Sequence, residues 1–314
     1  MRKVHILFII LVILFSGCIH TNDINISVEV IEEQTEVTEE LVQEAPILKS
    51  YELDLTIKSM PSDYSEMEEY LPKYGEVFGV PFFASERVPD NKLLHGMNIM
   101  AQYLDNDEDG IPDNPSVVDK LVEERVGIIM FKNENEGDSL GIWESDLPLD
   151  HFQELYADET IISGSQFDAS LEEILHLITD IGYEGVYPSV FGEFSGSQLA
   201  NLMDNARGGH FENEGTLRED GETFQLAVPS SYPVSAWYTY DDETCEYDCM
   251  NTEYIYWALT SILGAQEDRC VEIRNEWKLC TKEKVMSQDP GIYILLTDPR
   301  YSLPTVLPDG TYGN

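Results

Sequence analysis

The spacing of hydrophobic positions along the chain predicts a fold built mainly of helices. Apolar residues recur at helical intervals from Asn91 to Leu104, and a second helix is predicted from Pro115 to Arg125, with proline in its first turn. Residues 170–183 carry an apolar face behind Ser170 and Glu173, which have the spacing of a capping box. Further helices are predicted at 197–206, 251–264, 268–286 and 289–296.

Strand signals are sparse. Residues 51–57 alternate between apolar and polar side chains, as an edge strand does, and residues 126–131 form a short continuous apolar run. Hydrophobic residues make up 42% of the chain, which is enough for a large core. The pattern therefore predicts a mainly helical α+β fold, a single large domain with little sheet over residues 51–314.

The N-terminus has the pattern of a secretory signal. Arg2 and Lys3 precede ten apolar residues, Ile6 to Phe15, and then Ser-Gly-Cys18. Ten helical residues span about 15 Å, roughly half the hydrocarbon thickness, so the run is too short for a membrane-spanning helix. Residues 14–18 resemble a bacterial or archaeal lipobox. This resemblance implies a signal peptide at 1–17 and lipidation of Cys18, which would anchor the protein to the outer face of the cell membrane.

The charge of the chain limits the classes of molecule that it is expected to bind. Lysine and arginine number 18 against 60 aspartate and glutamate residues, giving a formal net charge of −42. Such a surface repels nucleic-acid phosphates and anionic lipid headgroups, so the membrane is expected to be a partner through the lipid anchor alone. Residues 19–48 contain eight acidic and no aromatic side chains, which predicts a disordered linker over residues 18–50.

Four cysteines lie in the predicted domain: Cys245, Cys249, Cys270 and Cys280. An even number in an exported chain predicts two disulfides, which agrees with an extracytoplasmic location. Three pairings are open, and the shortest loops favour Cys245–Cys249 and Cys270–Cys280. The alternative is a zinc site made by all four, although the C-x2-C spacing typical of such sites is missing.

Residues 105–113 have the pattern of a calcium-binding loop between two predicted helices. Aspartates at alternating positions can turn their oxygens toward one hard cation, and Gly110 permits the sharp turn between them. The loop resembles an EF-hand and the Asp-rich repeats of thrombospondin type 3 modules. This resemblance implies calcium ligands at Asp105, Asp107, Asp109, the backbone carbonyl of Ile111, and Asp113.

The loop departs from an EF-hand at its twelfth position, where Ser116 replaces the bidentate glutamate. Asp119 or Glu123, further along the next helix, could take over that role. The alternative interpretation is an exposed turn, because aspartate, asparagine and glycine favour turns as well. In an exported protein we expect bound calcium to stabilise structure.

The helix at 170–183 carries the candidate chemistry. Glu172, His176 and Asp180 are four residues apart and share one helix face, with Glu173 beside it. The segment resembles the H-E-x-x-H helix of zincin metallopeptidases, with Glu172 in place of the first histidine. This resemblance implies that Glu172 and His176 bind zinc and that Glu173 is the general base. The alternative is an amphipathic helix whose histidine pairs with carboxylates.

A zincin site needs a third ligand. In the gluzincin group this is a glutamate on a later helix, which Glu253 resembles; Asp180 and His210 are the alternatives. The aromatic and acidic stretch 229–257 could line a groove for a peptide or glycan, or be a loop pinned by a disulfide. The calcium loop, the Glu-Glu-x-x-His helix, residues 199–211 and the block from Trp237 to Trp257 together resemble an uncharacterised group of secreted microbial proteins, from about residue 85 to the C-terminus.

Two hypotheses follow. The first is a cell-surface lipoprotein with a calcium loop and a zinc-dependent, peptidase-like hydrolase site at Glu172, His176 and Glu253. The second is a non-catalytic binding or scaffold lipoprotein that calcium stabilises.

Overall fold

The computed structural model describes residues 53–313 except 145–146, 164–165 and 220. The predicted signal peptide, Cys18 and the linker lie outside the described residues. Within them, helices account for 43% and strands for 13%, and the described residues form a single body. The predicted α+β class, with more helix than strand, is therefore confirmed.

A four-stranded sheet forms one layer of the fold. Its order is β1-β2-β3-β4, with β1 antiparallel to β2 and the remaining neighbours parallel. Every residue of β3 is buried, because helices cross over between the parallel strands and cover the sheet. The strands are β1 (Lys73–Val77), β2 (Val80–Ala84), β3 (Val126–Phe131) and β4 (His151–Tyr156). A separate antiparallel hairpin joins β5 (Gly215–Glu219) to β6 (Glu222–Leu226).

The helices pack around α8, whose residues are nearly all buried. From Met250 to Ile262 every residue of this helix is buried, which places that part of the helix in the interior of the fold. Both α4 and α7 contact α8, and α4 also contacts β4 and α1. The helices are α1 (Asp90–Leu104), α2 (Pro115–Glu123), α3 (Glu134–Ser139), α4 (Ser170–Leu177), α5 (Glu184–Val186), α6 (Pro188–Phe191), α7 (Gln198–Arg207), α8 (Tyr247–Leu263), α9 (Lys282–Gln288) and α10 (Pro290–Leu296).

The predicted helix at 170–183 changes type along its length. Helix α4 continues into a π-helix, Ile178–Tyr183, whose wider turns are frequent at functional sites. The predicted capping box is wrong. Helix α4 begins at Ser170 with no side-chain cap, and the Ser170 N–H is bound by Asp168 Oδ1 at 3.2 Å.

Two further predictions are wrong. The predicted strand at 51–57 is not a strand over its described residues 53–57, and only Lys58 forms an isolated bridge, to Tyr74. The apolar side chains of that segment pack on the core without a continuous backbone ladder. The predicted helix at 268–286 consists of two short 3-10 turns and α9, because a disulfide closes the segment and Trp277 is fully buried within it.

Both favoured disulfides are present, Cys245–Cys249 and Cys270–Cys280. Disulfides persist in oxidising compartments, so the pairs indicate an extracytoplasmic protein. No helix in the described part of the chain is long and apolar enough to cross a membrane.

Candidate metal centre

Helices α4 and α8 bring together three metal-ligating side chains that are distant in sequence. Ligand atoms of Glu172, His176 and Glu253 all lie within 4.8 Å of one another. His176 Nε2 is 3.8 Å from Glu253 Oε1. Of the three third ligands that the sequence left open, the structure therefore places Glu253 in this cluster.

The remaining candidates lie elsewhere. His210 Nδ1 is 2.8 Å from Asp204 Oδ2, and its Nε2 is 3.2 Å from Glu212 Oε2, so both ring nitrogens are engaged outside the cluster. Asp180 is one turn beyond His176 in the π-helix. There it joins a second acidic group with Glu184 and Glu193, whose ligand atoms also lie within 4.8 Å of one another.

The backbone positions of the cluster follow from packing. Residues Leu171, Ile174 and Leu175 of α4 are buried in the core, which turns the opposite face of the helix toward α8. Tyr256, one turn after Glu253, packs edge-on against the His176 ring with centroids 5.6 Å apart. These contacts hold the imidazole beside the two carboxyl groups.

Burial dominates the electrostatics of the cluster. It lowers the pKa of His176 to about 4, which leaves the imidazole neutral at pH 7. It raises the pKa of Glu172 to about 7, although a hydrogen bond from Tyr256 and the charge of Arg269 oppose that shift. Burial and repulsion by Glu172 raise the pKa of Glu253 well above its ordinary value. Without a compensating cation, this group of side chains resists ionisation.

Glu173 lies beside the cluster. Its Oε2 is 3.9 Å from His176 Nδ1 and accepts a hydrogen bond from Gln153 Nε2 on β4. Burial, and then the neighbouring Glu172, raise the pKa of Glu173 to about 8. A carboxyl group with such a pKa can both hold and release a proton near neutral pH. Gln153 could not be predicted from the sequence, because it lies on a different element from Glu173.

The donor set fits a divalent transition metal. His176 Nε2 and Glu253 Oε2 are buried and have no hydrogen-bond partner among the described residues. Buried polar atoms are usually satisfied, so two unpartnered acceptors beside one another make this cluster a possible metal-binding group. Neutral imidazole and carboxylate oxygen are ordinary zinc ligands, with bonds of about 2.0–2.2 Å.

A cavity of about 480 Å³ opens onto the cluster and the second acidic group. Glu193 is buried there and accepts a hydrogen bond from Thr252 Oγ1. Thr252 precedes Glu253 on α8. Adjacent residues of one helix therefore contact the second acidic group, through Thr252, and belong to the first, through Glu253. Residues Glu184 and Glu193 carried no sequence signal, because nothing in their spacing relates them to the zincin-like segment.

The aromatic stretch 229–257 is mostly packed into the fold. Tyr238 is fully buried, Trp237 Nε1 donates to Asp289 Oδ2 at 2.8 Å, and Tyr232 donates to the backbone of Tyr240. Of these aromatic side chains, Tyr240 lines the cavity. The segment is thus chiefly a packed loop whose disulfide, Cys245–Cys249, borders the cavity.

The predicted calcium loop lies at the end of α1. Ligand atoms of Asp105, Asp107 and Asp109 lie within 4.8 Å of one another. Asp113 is not a member of this group, and its Oδ2 accepts from the Asn106 N–H at 2.7 Å. The Ile111 side chain is exposed.

The C-terminal segment packs onto this loop. Tyr312 donates its hydroxyl hydrogen to Asp105 Oδ2, and the Gly313 N–H donates to Glu108 Oε2 at 2.8 Å. Asn106 Oδ1 accepts from the backbone of Val306 at 2.9 Å. These contacts join positions about 200 residues apart and could not be predicted from the sequence.

The sequence matches no protein-family model, and no curated protein or solved structure matches it either. The site is therefore interpreted from its own geometry.

Proposed function

We propose that the chain is an extracytoplasmic, metal-dependent hydrolase of the peptidase type. In this proposal Glu172, His176 and Glu253 hold a zinc ion, and Glu173 is the general base. The observation that carries the proposal is the pair of buried, unpartnered acceptors, His176 Nε2 and Glu253 Oε2, inside a cluster of ligand atoms. The cluster opens onto a cavity, as a catalytic site requires.

Each side chain has a distinct task. A bound zinc ion would supply Lewis acidity, which polarises a carbonyl group and makes a water molecule more acidic. His176 is neutral at pH 7, so its Nε2 lone pair is free to act as a ligand. A cation held by the cluster would lower the pKa of Glu173, so that its carboxylate can accept a proton from the attacking water and return it to the leaving amine, while Gln153 keeps that carboxylate oriented.

The proposal places this site outside the cell. Lipidation of Cys18 would anchor the chain, and the acidic segment 18–50 would hold the domain away from the membrane. A calcium ion bound by Asp105, Asp107 and Asp109 would clamp α1 to the C-terminal segment. The two disulfides support the same location.

Metal content tests the proposal first. The purified chain, treated with chelator and then dialysed against zinc, is expected to retain about one zinc ion that His176→Ala does not retain. Elemental analysis of both proteins measures this. Equal zinc content in the two would refute the site.

Glu173→Gln tests the chemistry. Glutamine preserves the shape of the side chain but cannot accept the proton, so the hydrolysis rate of a peptide library is expected to fall about 10²–10⁴-fold. Zinc content is expected to stay unchanged. Glu66→Gln, an exposed glutamate in the 3-10 helix at residues 62–69, is the matched control and is expected to keep full activity. Undiminished activity in Glu173→Gln would remove Glu173 from the mechanism.

A second candidate function is a non-catalytic binding or scaffold lipoprotein that calcium stabilises. The hydrogen bonds between the C-terminal segment and the Asp105 loop favour it, because they give a cation there a structural task. This candidate requires a melting temperature that rises with calcium. The same melting temperature with calcium and with chelator would count against it.

A further inference from the structure

The cavity beside the candidate zinc ligands has an unusual charge. Seven carboxyl groups line it, and lysine and arginine are missing from its described lining. The acidic lining residues are Glu172, Glu173, Asp180, Glu193, Asp242, Asp248 and Glu253. A single divalent ion at Glu172, His176 and Glu253 would offset at most two negative charges. Asp242 and Asp248 lie outside that group and would still face a ligand that enters the cavity.

Two of the acidic residues form an exposed rim. Asp242 lies three residues before the Cys245–Cys249 disulfide and Asp248 lies within the loop that it closes, and both cysteines also line the cavity. The disulfide and the start of α8 limit the movement of this loop. A rim with fixed geometry loses little entropy when it binds a ligand.

Local hydrogen bonds orient the two rim carboxylates. Asp242 Oδ1 accepts from the Thr244 N–H and the Thr244 hydroxyl, each at 2.8 Å. Asp248 Oδ1 accepts from the Cys249 N–H at 2.8 Å. In each carboxylate these bonds engage Oδ1, which leaves Oδ2 available for a ligand.

The interior of the cavity gives a second sign of a ligand, beside the acidic rim. Glu253 is 6% exposed, lines the cavity, and carries the unpartnered Oε2 described above. The cavity therefore contains a buried acceptor that needs a partner, in addition to its acidic rim. Both features require positive charge, one at the metal position and one at the rim.

We propose that the cavity binds a cationic peptide segment, with a lysine or arginine side chain held by Asp242 and Asp248 while the backbone passes the zinc ligands. The identification of the ligand as a peptide rests on the proposed function. The charge of the ligand rests on the lining alone. Ammonium and guanidinium groups donate several hydrogen bonds to carboxylates and are the side chains that complement this rim.

Matched peptides test the inference by binding. The full chain, loaded with zinc, is titrated with fluorescent peptides that differ only in one lysine or its uncharged acetyl form, and anisotropy gives each Kd. We expect the lysine peptide to bind about tenfold more tightly at low salt, with the difference shrinking as salt screens the charges. Equal affinities would overturn the inference.

A pair of double variants separates the rim from the overall charge of the protein. Asp242→Asn with Asp248→Asn is expected to abolish the preference for lysine. Glu66→Gln with Glu69→Gln removes the same charge from an exposed element that does not line the cavity, and is expected to keep the preference. An equal loss in both variants would show that net charge alone is responsible and would overturn the inference.

Two further readouts distinguish the inference from the proposed function. A preference for lysine in binding without cleavage of any peptide would contradict the hydrolase and support the cationic ligand. Equal cleavage of the charged and uncharged peptides, together with equal affinities, would support the hydrolase and contradict the cationic ligand. Retention of a second zinc ion that erases the preference for lysine would assign the acidic lining to metal and overturn the inference.

Discussion

The two candidate metal groups of this protein are built in opposite ways. Asp105, Asp107 and Asp109 are neighbours in sequence and their group lies at the surface end of α1. Glu172 and His176 share one helix, but Glu253 reaches them from another helix, in a largely buried site. The first group offers oxygen alone, and the second offers oxygen and an imidazole nitrogen.

Burial changes the pKa values of these side chains and with them the conditions for binding a cation. In the loop, Asp105 is buried but Asp107 and Asp109 are exposed to water, and a group of carboxylate oxygens suits a hard cation such as calcium. In the buried group, desolvation raises the pKa of Glu172 to about 7 and lowers that of His176 to about 4. The carboxyl groups then need a cation in order to ionise, so metal binding and proton release are coupled at this site.

The largest expected effect is a loss of zinc affinity in a variant that leaves the calcium group intact. Glu253→Gln removes an anionic ligand and is expected to weaken zinc binding by more than about 100-fold, because glutamine is a poor zinc ligand. Calcium-dependent stability is expected to persist. Competition with a chromophoric chelator measures the zinc affinity. Glu267→Gln, on an exposed turn after α8, is the matched control, and an equal loss there would contradict the assignment.

Asp105→Asn is the reciprocal test. Calcium at about 100 times its Kd stabilises a folded protein by about 2.7 kcal/mol, which corresponds to roughly 5–10 °C for a domain of this size. Asp105→Asn is expected to lose most of this increase while zinc binding stays unchanged. Differential scanning calorimetry with calcium and with chelator measures it. A full calcium response in the variant would remove Asp105 from the site.

The pH dependence should differ between the groups. Glu172 and Glu173, with pKa values of about 7 and 8, are mostly protonated at pH 6.5 in the metal-free protein. Zinc must displace protons, so its affinity is expected to rise about tenfold from pH 6.5 to 8.5. Isothermal titration in two buffers of different ionisation heat measures the protons released. A flat profile would show that these carboxyl groups do not compete with zinc.

The same pKa shifts give the sign of a stability change without metal. A carboxyl group whose folded pKa is raised stabilises the protein below its unfolded pKa, and that contribution is lost as pH rises through the folded value. The metal-free protein is therefore expected to lose stability as pH rises through 7–8. Zinc should reverse the loss. Chemical denaturation at pH 6.5 and 8.5, with and without zinc, checks both directions.

The smallest expected effect concerns the C-terminal segment. Tyr312→Phe removes the hydrogen bond to Asp105 and is expected to cost about 1 kcal/mol of unfolding free energy. Tyr293→Phe, on α10, is the control with the same chemical change. Urea denaturation compares the two variants. No difference between them would show that the segment stays in place without this bond.

Local sequence signals predicted much of the fold. The apolar spacing of α1, the continuous apolar run of β3 and the proline at the start of α2 each depend on near neighbours, and all three elements are present. Strands β1, β2 and β4 were not predicted, because each is only five or six residues long and too short for a clear apolar pattern. Residues 268–286 have helical periodicity. The Cys270–Cys280 disulfide and the burial of Trp277 nevertheless interrupt the helix there.

The candidate site also contains residues that local spacing predicted and residues that only the tertiary structure brings together. The i, i+4 spacing of Glu172 and His176 followed from helix geometry alone, and the Asp105–Asp109 loop was evident from its alternating oxygens. Glu253 was one of three open candidates, and packing of α4 against α8 selected it. Gln153 and Glu193 could be identified only from the tertiary structure, because a contact between separate elements produces no periodic pattern in the sequence.

By itself, the sequence determined which side chains share a helix face or a loop, since those neighbours are set by backbone geometry over a few residues. It also determined the acidic charge and the four cysteines whose short loops favoured the observed pairs. The tertiary structure decided which distant carboxyl group faces His176, how deeply the cluster is buried, and that an acidic rim borders it. Those properties arise from packing of the core, in which apolar residues throughout the chain jointly place α4 and α8.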